Sequence, residues 1–184
     1  MNSPHPNMQQ ILLERMIDNM EGIWEETRQD SVLAQKWQAF GIRCARRALD
    51  AVGDPDPRSV ALVEAIEQYA NEEMPDEEFA AILEAARAAM EEAIQGVLPY
   101  PAYPDAAQSW ARSLATQTAV AAAGPDAWDV AILETITAGW NARAKALRSH
   151  PQEYVDWEDE NWDAAVTEVR GIQMKDLIRM LEPV

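Results

Sequence analysis

Apolar residues recur every three or four positions along most of the chain, and no stretch alternates with a period of two. That pattern predicts helices and no strands. The first helix is expected from Asn7 to Thr27, with Leu13, Met16, Ile17, Met20 and Trp24 at helical spacing. The second starts at Asp30 or Ser31, since either side chain can accept hydrogen bonds from the free N–H groups of a first turn. Leu33, Trp37, Phe40, Cys44 and Ala48 line one face of it, and Gly53 with Asp54-Pro55-Asp56-Pro57 stops it. A third helix, Pro57 to Asn71, carries Leu62, Ile66 and Tyr69. Pro75 interrupts, and Asp76-Glu77-Glu78 suits the positive end of a fourth, where Phe79, Ile82, Leu83, Ala86 and Met90 repeat.

Val97 to Pro104 holds three prolines in eight residues and reads as an extended connector, the one place where the chain would sub-divide. A fifth helix follows from Asp105 to Ala123, with Trp110, Leu114 and Gln117 on one side. Gly124-Pro125-Asp126 separates it from a sixth, ending near Arg148, which carries Ile132, Leu133, Ile136, Trp140 and Leu147. The last helix runs from Trp157 or Asn161 to Leu181 through Val166, Val169, Met174, Leu177 and Ile178. The expected fold is therefore all-α: a loose tail over 1–6, then a single domain over 7–184 of about seven helices, neighbours antiparallel because the connections are short. Trp24, Trp37, Trp110 and Trp140 fall on apolar faces and are expected in the core.

Charge narrows the functional classes. Of 184 residues, 32 are Asp or Glu and 15 are Lys or Arg, a formal charge of -17. A surface this acidic repels nucleic-acid phosphates and anionic membranes and attracts basic proteins. The hydrophobic fraction of 48% separates the chain from acidic disordered sequences. Cys44 is the single cysteine, so no intramolecular disulfide forms, which fits a reducing cytoplasm. Met1 to Pro6 lacks the basic and apolar regions of a secretory signal, and no window approaches the roughly 20 apolar residues of a membrane span.

Candidate chemistry is sparse. There is no glycine-rich phosphate loop, and the histidines are only His5 and His150, too few for a zinc site or a triad without His150. No catalytic residue, cofactor or metal ligand is assigned. All-helical nucleotide pyrophosphohydrolases converge carboxylates on magnesium, and the nearest pattern is Glu72-Glu73-Met74-Pro75-Asp76, broken by its proline; Glu64 and Glu67 share a helix face. Arg43, Arg46 and Arg47 form a basic turn, read as ion-paired near a helix C-terminus, with an anion site as the alternative.

Two acidic clusters stand out. In Asp156-Trp157-Glu158-Asp159-Glu160-Asn161-Trp162-Asp163, five carboxylates surround two indoles. Asp156, Trp157, Glu158, Asp159, Glu160 and Asp163 are the first candidates for contact with a partner, the carboxylates steering and Trp157 supplying buried area. The plainer alternative is an acid-rich helix start with Trp162 buried. Glu72, Glu73, Asp76, Glu77 and Glu78 form a second acidic patch.

One stretch is more specific. Phe40-Gly41-Ile42-Arg43-Cys44-Ala45-Arg46-Arg47-Ala48-Leu49, then Asp56-Pro57-Arg58-Ser59, then Ala65-Ile66-Glu67-Gln68-Tyr69-Ala70 and the Ala/Glu-rich Ala80 to Ala93 resemble the all-helical immunity proteins of bacterial polymorphic-toxin systems. A last helix with Arg170, Gln173, Leu177 and Leu181 is similar too. The resemblance implies a cytoplasmic protein that binds a cognate toxin, such as a basic nuclease, and blocks it by stoichiometric occlusion. It carries over no catalytic residues. A DNA-mimic inhibitor of a nucleic-acid-binding machine, of the anti-CRISPR or anti-restriction kind, is the alternative. A magnesium-dependent pyrophosphohydrolase is the second alternative.

Overall fold

The computed structural model describes Met20 and residues 22–27, 29–98, 103–149 and 160–181, and every regular element among them is helical. We label the segment at 22–27 α1, followed by α2 (Ser31–Ala51), α3 (Pro57–Ala70), α4 (Asp76–Gln95), α5 (Pro104–Ala121), α6 (Ala127–Ser149) and α7 (Glu160–Leu181). The tail over 1–6, most of the expected first helix and His150 lie outside the described residues.

Local chemistry sets the boundaries. Asp30 is extended, and its carboxylate accepts from the N–H groups of Val32 (2.9 Å) and Leu33 (3.1 Å), which fixes the start of α2. After α2 the chain turns through Gly53 at φ +73, a conformation that only glycine adopts without strain. Asp56 caps α3 by accepting from Arg58 N–H at 2.8 Å, and Pro57 occupies the first turn, where its missing N–H costs nothing. Pro104 does the same for α5, so that helix begins one residue before the expected Asp105. Asp76, Glu77 and Glu78 occupy the first turn of α4, against the positive end of its dipole.

Arg58 also joins two helices. It donates to Asp56 Oδ2 at 2.9 Å and to Glu92 Oε2 on α4 at 2.7 Å. The hydrogen bonds from Arg58 hold both carboxyls below their ordinary pKa. Such groups stabilise the fold above the ordinary carboxylate range, and the contribution is lost as pH falls through their lowered values. The stability gap between the wild type and Arg58→Met is therefore expected to be constant above about pH 5 and to close as the pH drops below about 3. Chemical denaturation across that range measures it.

One hydrophobic core draws residues from all seven helical segments, from Met20 and Trp37 to Leu177 and Met180. α2 contacts α3, α5, α6 and α7. Trp37 and Phe40 are fully buried and meet edge to face, with centroids 5.7 Å apart. The Trp37 indole N–H donates to Thr27 Oγ1 at 2.8 Å, and that hydroxyl donates to the Ile23 carbonyl at 2.6 Å, so α1 is tied to α2.

Expected faces on four helices are corrected. The buried ridge of α5 is Ala107, Ala111, Ala115 and Ala119, while Trp110 is a surface residue at 37% exposure. Side chains this small let α5 and α6, the most extensively packed pair, approach closely. On α6 the buried positions are Val130, Ala131, Glu134, Thr137, Asn141 and Ala144 among others, and Ile132 is exposed. α6 is wedged between α2, α5 and α7, so its buried side is wide and its bulky residues sit at the edges. Tyr69 at the end of α3 and Ile178 on α7 are likewise exposed, not core.

Candidate interaction surface

Ten carboxylates and only two arginines lie between residues 57 and 96, a net -8 and nearly half of the whole chain's -17. The α3–α4 pair is therefore strongly acidic for its length, and five of its ten carboxylates fall between Glu72 and Glu78. Glu72, Glu73, Asp76, Glu77 and Glu78 are all exposed. Beside them Tyr69 stacks on Phe79, with centroids 4.3 Å apart and planes 13° from parallel. The Tyr69 hydroxyl donates to Asp76 Oδ1 at 3.1 Å, a bond that raises the phenol's pKa. All five residues of the second acidic patch are thus exposed between the end of α3 and the first turn of α4, and Asp76 is bonded to the aromatic pair there.

Backbone strain marks the same corner. Glu72 follows the α3 C-cap residue Asn71 and sits at φ +59, in the left-handed region usually given to glycine. Holding a side chain there costs about 1 kcal/mol. Glu72→Gly is expected to raise stability by about that amount, read as an upward shift of the thermal midpoint.

The first acidic cluster fares differently. Asp156, Trp157, Glu158 and Asp159 lie outside the described residues. Glu160 opens α7, and Asp163 is exposed on its first turns. Trp162 is half-buried: its indole lies across Gly139 of α6, where an added Cβ would come within 2.6 Å of the ring, and it meets Trp140 edge to face at 5.4 Å.

The basic turn of α2 is the centre of a polar network that the acidic clusters do not touch. Arg47 donates from Nε to Glu134 Oε1 (2.6 Å) and from Nη2 to Glu134 Oε2 (3.1 Å), a fork-to-fork pair with α6. Its Nη1 donates to Asp176 Oδ2 on α7 at 2.7 Å. Gln173 Nε2, also on α7, donates to Glu134 Oε2 at 2.8 Å and to the Ala131 carbonyl at 2.9 Å. Burial works against a charged Arg47, yet the bonds and charge of Glu134 hold its pKa above the ordinary value. Burial pushes the Cys44 thiol well up, and Glu134 adds to that, so the neighbouring cysteine stays protonated and unreactive. Arg46 pairs with Glu67 at 2.6 Å, and Arg43 approaches Asp176 at 3.7 Å. The basic turn is therefore ion-paired as expected, but α2 continues past it to Ala51 and the arginines do not sit in its last turn.

Sequence reading did not find Glu134, and the signal was weak: a carboxylate three and four positions after Ala131 and Val130 on an apolar face. Glu67, a candidate metal ligand, has its carboxylate engaged by Arg46, and Glu64 is exposed. Among the described residues, no group of three or more potential ligands converges to hold a metal ion. A cleft of about 540 Å³ beside the α2–α3 turn contains Arg112 and Arg148, each answered by a nearby carboxylate, Asp54 at 3.4 Å and Asp105 at 4.0 Å. Among the described residues, no helix is long and apolar enough to cross a membrane. None of the family models, curated proteins or solved structures compared with this chain matches it.

Proposed function

We propose that this is a cytoplasmic inhibitor of the immunity type, a helical bundle with antiparallel neighbours that occludes a basic protein partner one to one through the corner of α3 and α4. The observation that carries the reading is the exposure of Glu72, Glu73, Asp76, Glu77 and Glu78 within a few residues of one another, with Asp76 bonded to the Tyr69–Phe79 stack. Carboxylates steer a basic partner on approach, and an aromatic face gives an arginine or lysine somewhere to lie once it arrives. The partner's phosphate-binding surface, if it is a nuclease, would be covered by these carboxylates in place of its substrate.

The test is a triple charge reversal at exposed positions, Glu73→Lys, Glu77→Lys and Glu78→Lys, compared with the wild type as immobilised bait. The wild type is expected to retain one basic protein at about 0.5 M salt, where exposed charges are screened within a few Å, and the variant to lose it. With that partner purified, association is expected to slow by 10-fold or more. Equal capture by the folded variant would sink the assignment of this corner. Many basic proteins released together by salt would favour the DNA-mimic alternative.

A further inference from the structure

α3 begins at the cleft of about 540 Å³ and ends at the acidic corner, so its 14 residues hold the two roughly 20 Å apart. One wall of the cleft comes from α5. Gln108, Arg112 and Thr116 follow at intervals of four and share a stripe of that helix, with Ser113 on the next. Gln108, Ser113 and Thr116 are more than nine-tenths buried, yet all three line the cleft. Each has a partner within the fold. Ser113 and Thr116 bond along α5 itself. Gln108 makes two long bonds, 3.4 Å to the Val52 carbonyl and 3.4 Å from Arg148. A hydroxyl or amide takes part in several hydrogen bonds at once, so these groups can also meet a ligand.

Two guanidinium groups, Arg112 and Arg148, line the same cleft. Their carboxylate contacts are slack: 3.4 Å to Asp54 and 4.0 Å to Asp105, both highly exposed. By contrast, Arg46, Arg47, Arg58 and Arg87 each reach a carboxylate at 2.6 or 2.7 Å. Exposed pairs at long range contribute little, and either aspartate can turn into solvent when an anion arrives. Asp56, the third carboxylate lining the cleft, is already paired with Arg58 at 2.9 Å. Two guanidinium groups match the two charges of a phosphate monoester. A buried wall of hydroxyl and amide groups matches the hydroxyls of a polyol. Among the described residues no aromatic ring lines the cleft, so there is no platform for a nucleobase. Its volume lies within the range of small-molecule sites, about 300–1,000 Å³.

We propose that this cleft binds a small sugar phosphate. Arg112 and Arg148 take the phosphate, and Gln108, Ser113 and Thr116 take the sugar hydroxyls.

Glucose phosphorylated on its primary hydroxyl, titrated into the isotope-labelled full chain, tests this by NMR. The expected result is a saturable shift of the Gln108 side-chain amide and of the Ser113 and Thr116 backbone amides. Glucose alone and inorganic phosphate alone should each bind at least about tenfold more weakly, since each offers only part of the contacts. Arg112→Gln and Arg148→Gln, both at exposed positions, should each weaken the sugar phosphate by a similar factor. The comparison of the three ligands uses only wild-type protein, so the test does not depend on the variants' folding. Absence of a saturable shift at these positions would overturn the proposal. So would equal affinity for glucose or for inorganic phosphate, or unchanged affinity in the folded variants.

Discussion

Arg47→Met is expected to destabilise the protein by about 3–5 kcal/mol, the usual result of leaving a buried charge without its partner. Glu134 is 2% exposed, and Arg47 supplies both hydrogen bonds of the ion pair that neutralises it. Without Arg47, the Gln173 amide and the Cys44 thiol still face that carboxylate, and neutral groups do not balance its charge. The double variant Arg47→Met with Glu134→Leu removes the charge together with its partner. It should recover most of the loss, because apolar residues of similar volume replace buried ion pairs at little cost. Urea denaturation of the wild type, both single variants and the double variant gives the coupling directly. Nearly additive losses would mean that Glu134 finds water or another partner when Arg47 is gone. The same series asks whether α7 depends on the network, since Asp176 and Gln173 are two of its main polar links to α2 and α6.

Phe40→Ala should be comparably costly, about 3–5 kcal/mol. Phe40 is fully buried at the middle of α2, the helix that packs on four others, and meets Trp37 edge to face. Neighbouring residues such as Cys44, Ala45 and Ala48 are small and cannot extend into the space left behind. The cost is read from the denaturation midpoint at unchanged m-value. Phe40→Leu, which keeps most of the volume, should lose much less.

The contrast between these two sites shows what the sequence disclosed. Phe40 and Trp37 were legible because their large apolar side chains recur at a spacing of three or four on a face of α2 that is otherwise apolar. Two helix starts were legible because their signal is local: the Asp30 and Asp56 carboxylates accept from N–H groups two or three residues on. Glu134 was not, because what allows its burial is Arg47, 87 positions earlier, and Gln173, 39 positions later. The faces of α5 and α6 were misjudged because alanine gives little hydrophobic signal, and close helix approach selects for it over Trp110 and Ile132. The acidic corner could be named residue by residue, since its charges adjoin in sequence. The stacking of Tyr69 on Phe79 could not be anticipated while Tyr69 was assigned to the core.

The indoles of Trp110, Trp140 and Trp162 form a row across α5, α6 and α7. The first two are nearly parallel, 5.6 Å apart, and the third is perpendicular to the second at 5.4 Å. Chromophores this close share their electronic excitation, so the row should give a coupled circular-dichroism band that no isolated tryptophan shows. Its amplitude depends on the angles between rings held by three separate helices. Undocking of α7 would remove the perpendicular member and leave the parallel pair, changing the shape of the band as well as its size. The protein thus carries its own optical gauge of whether its last helix is seated, readable without any label.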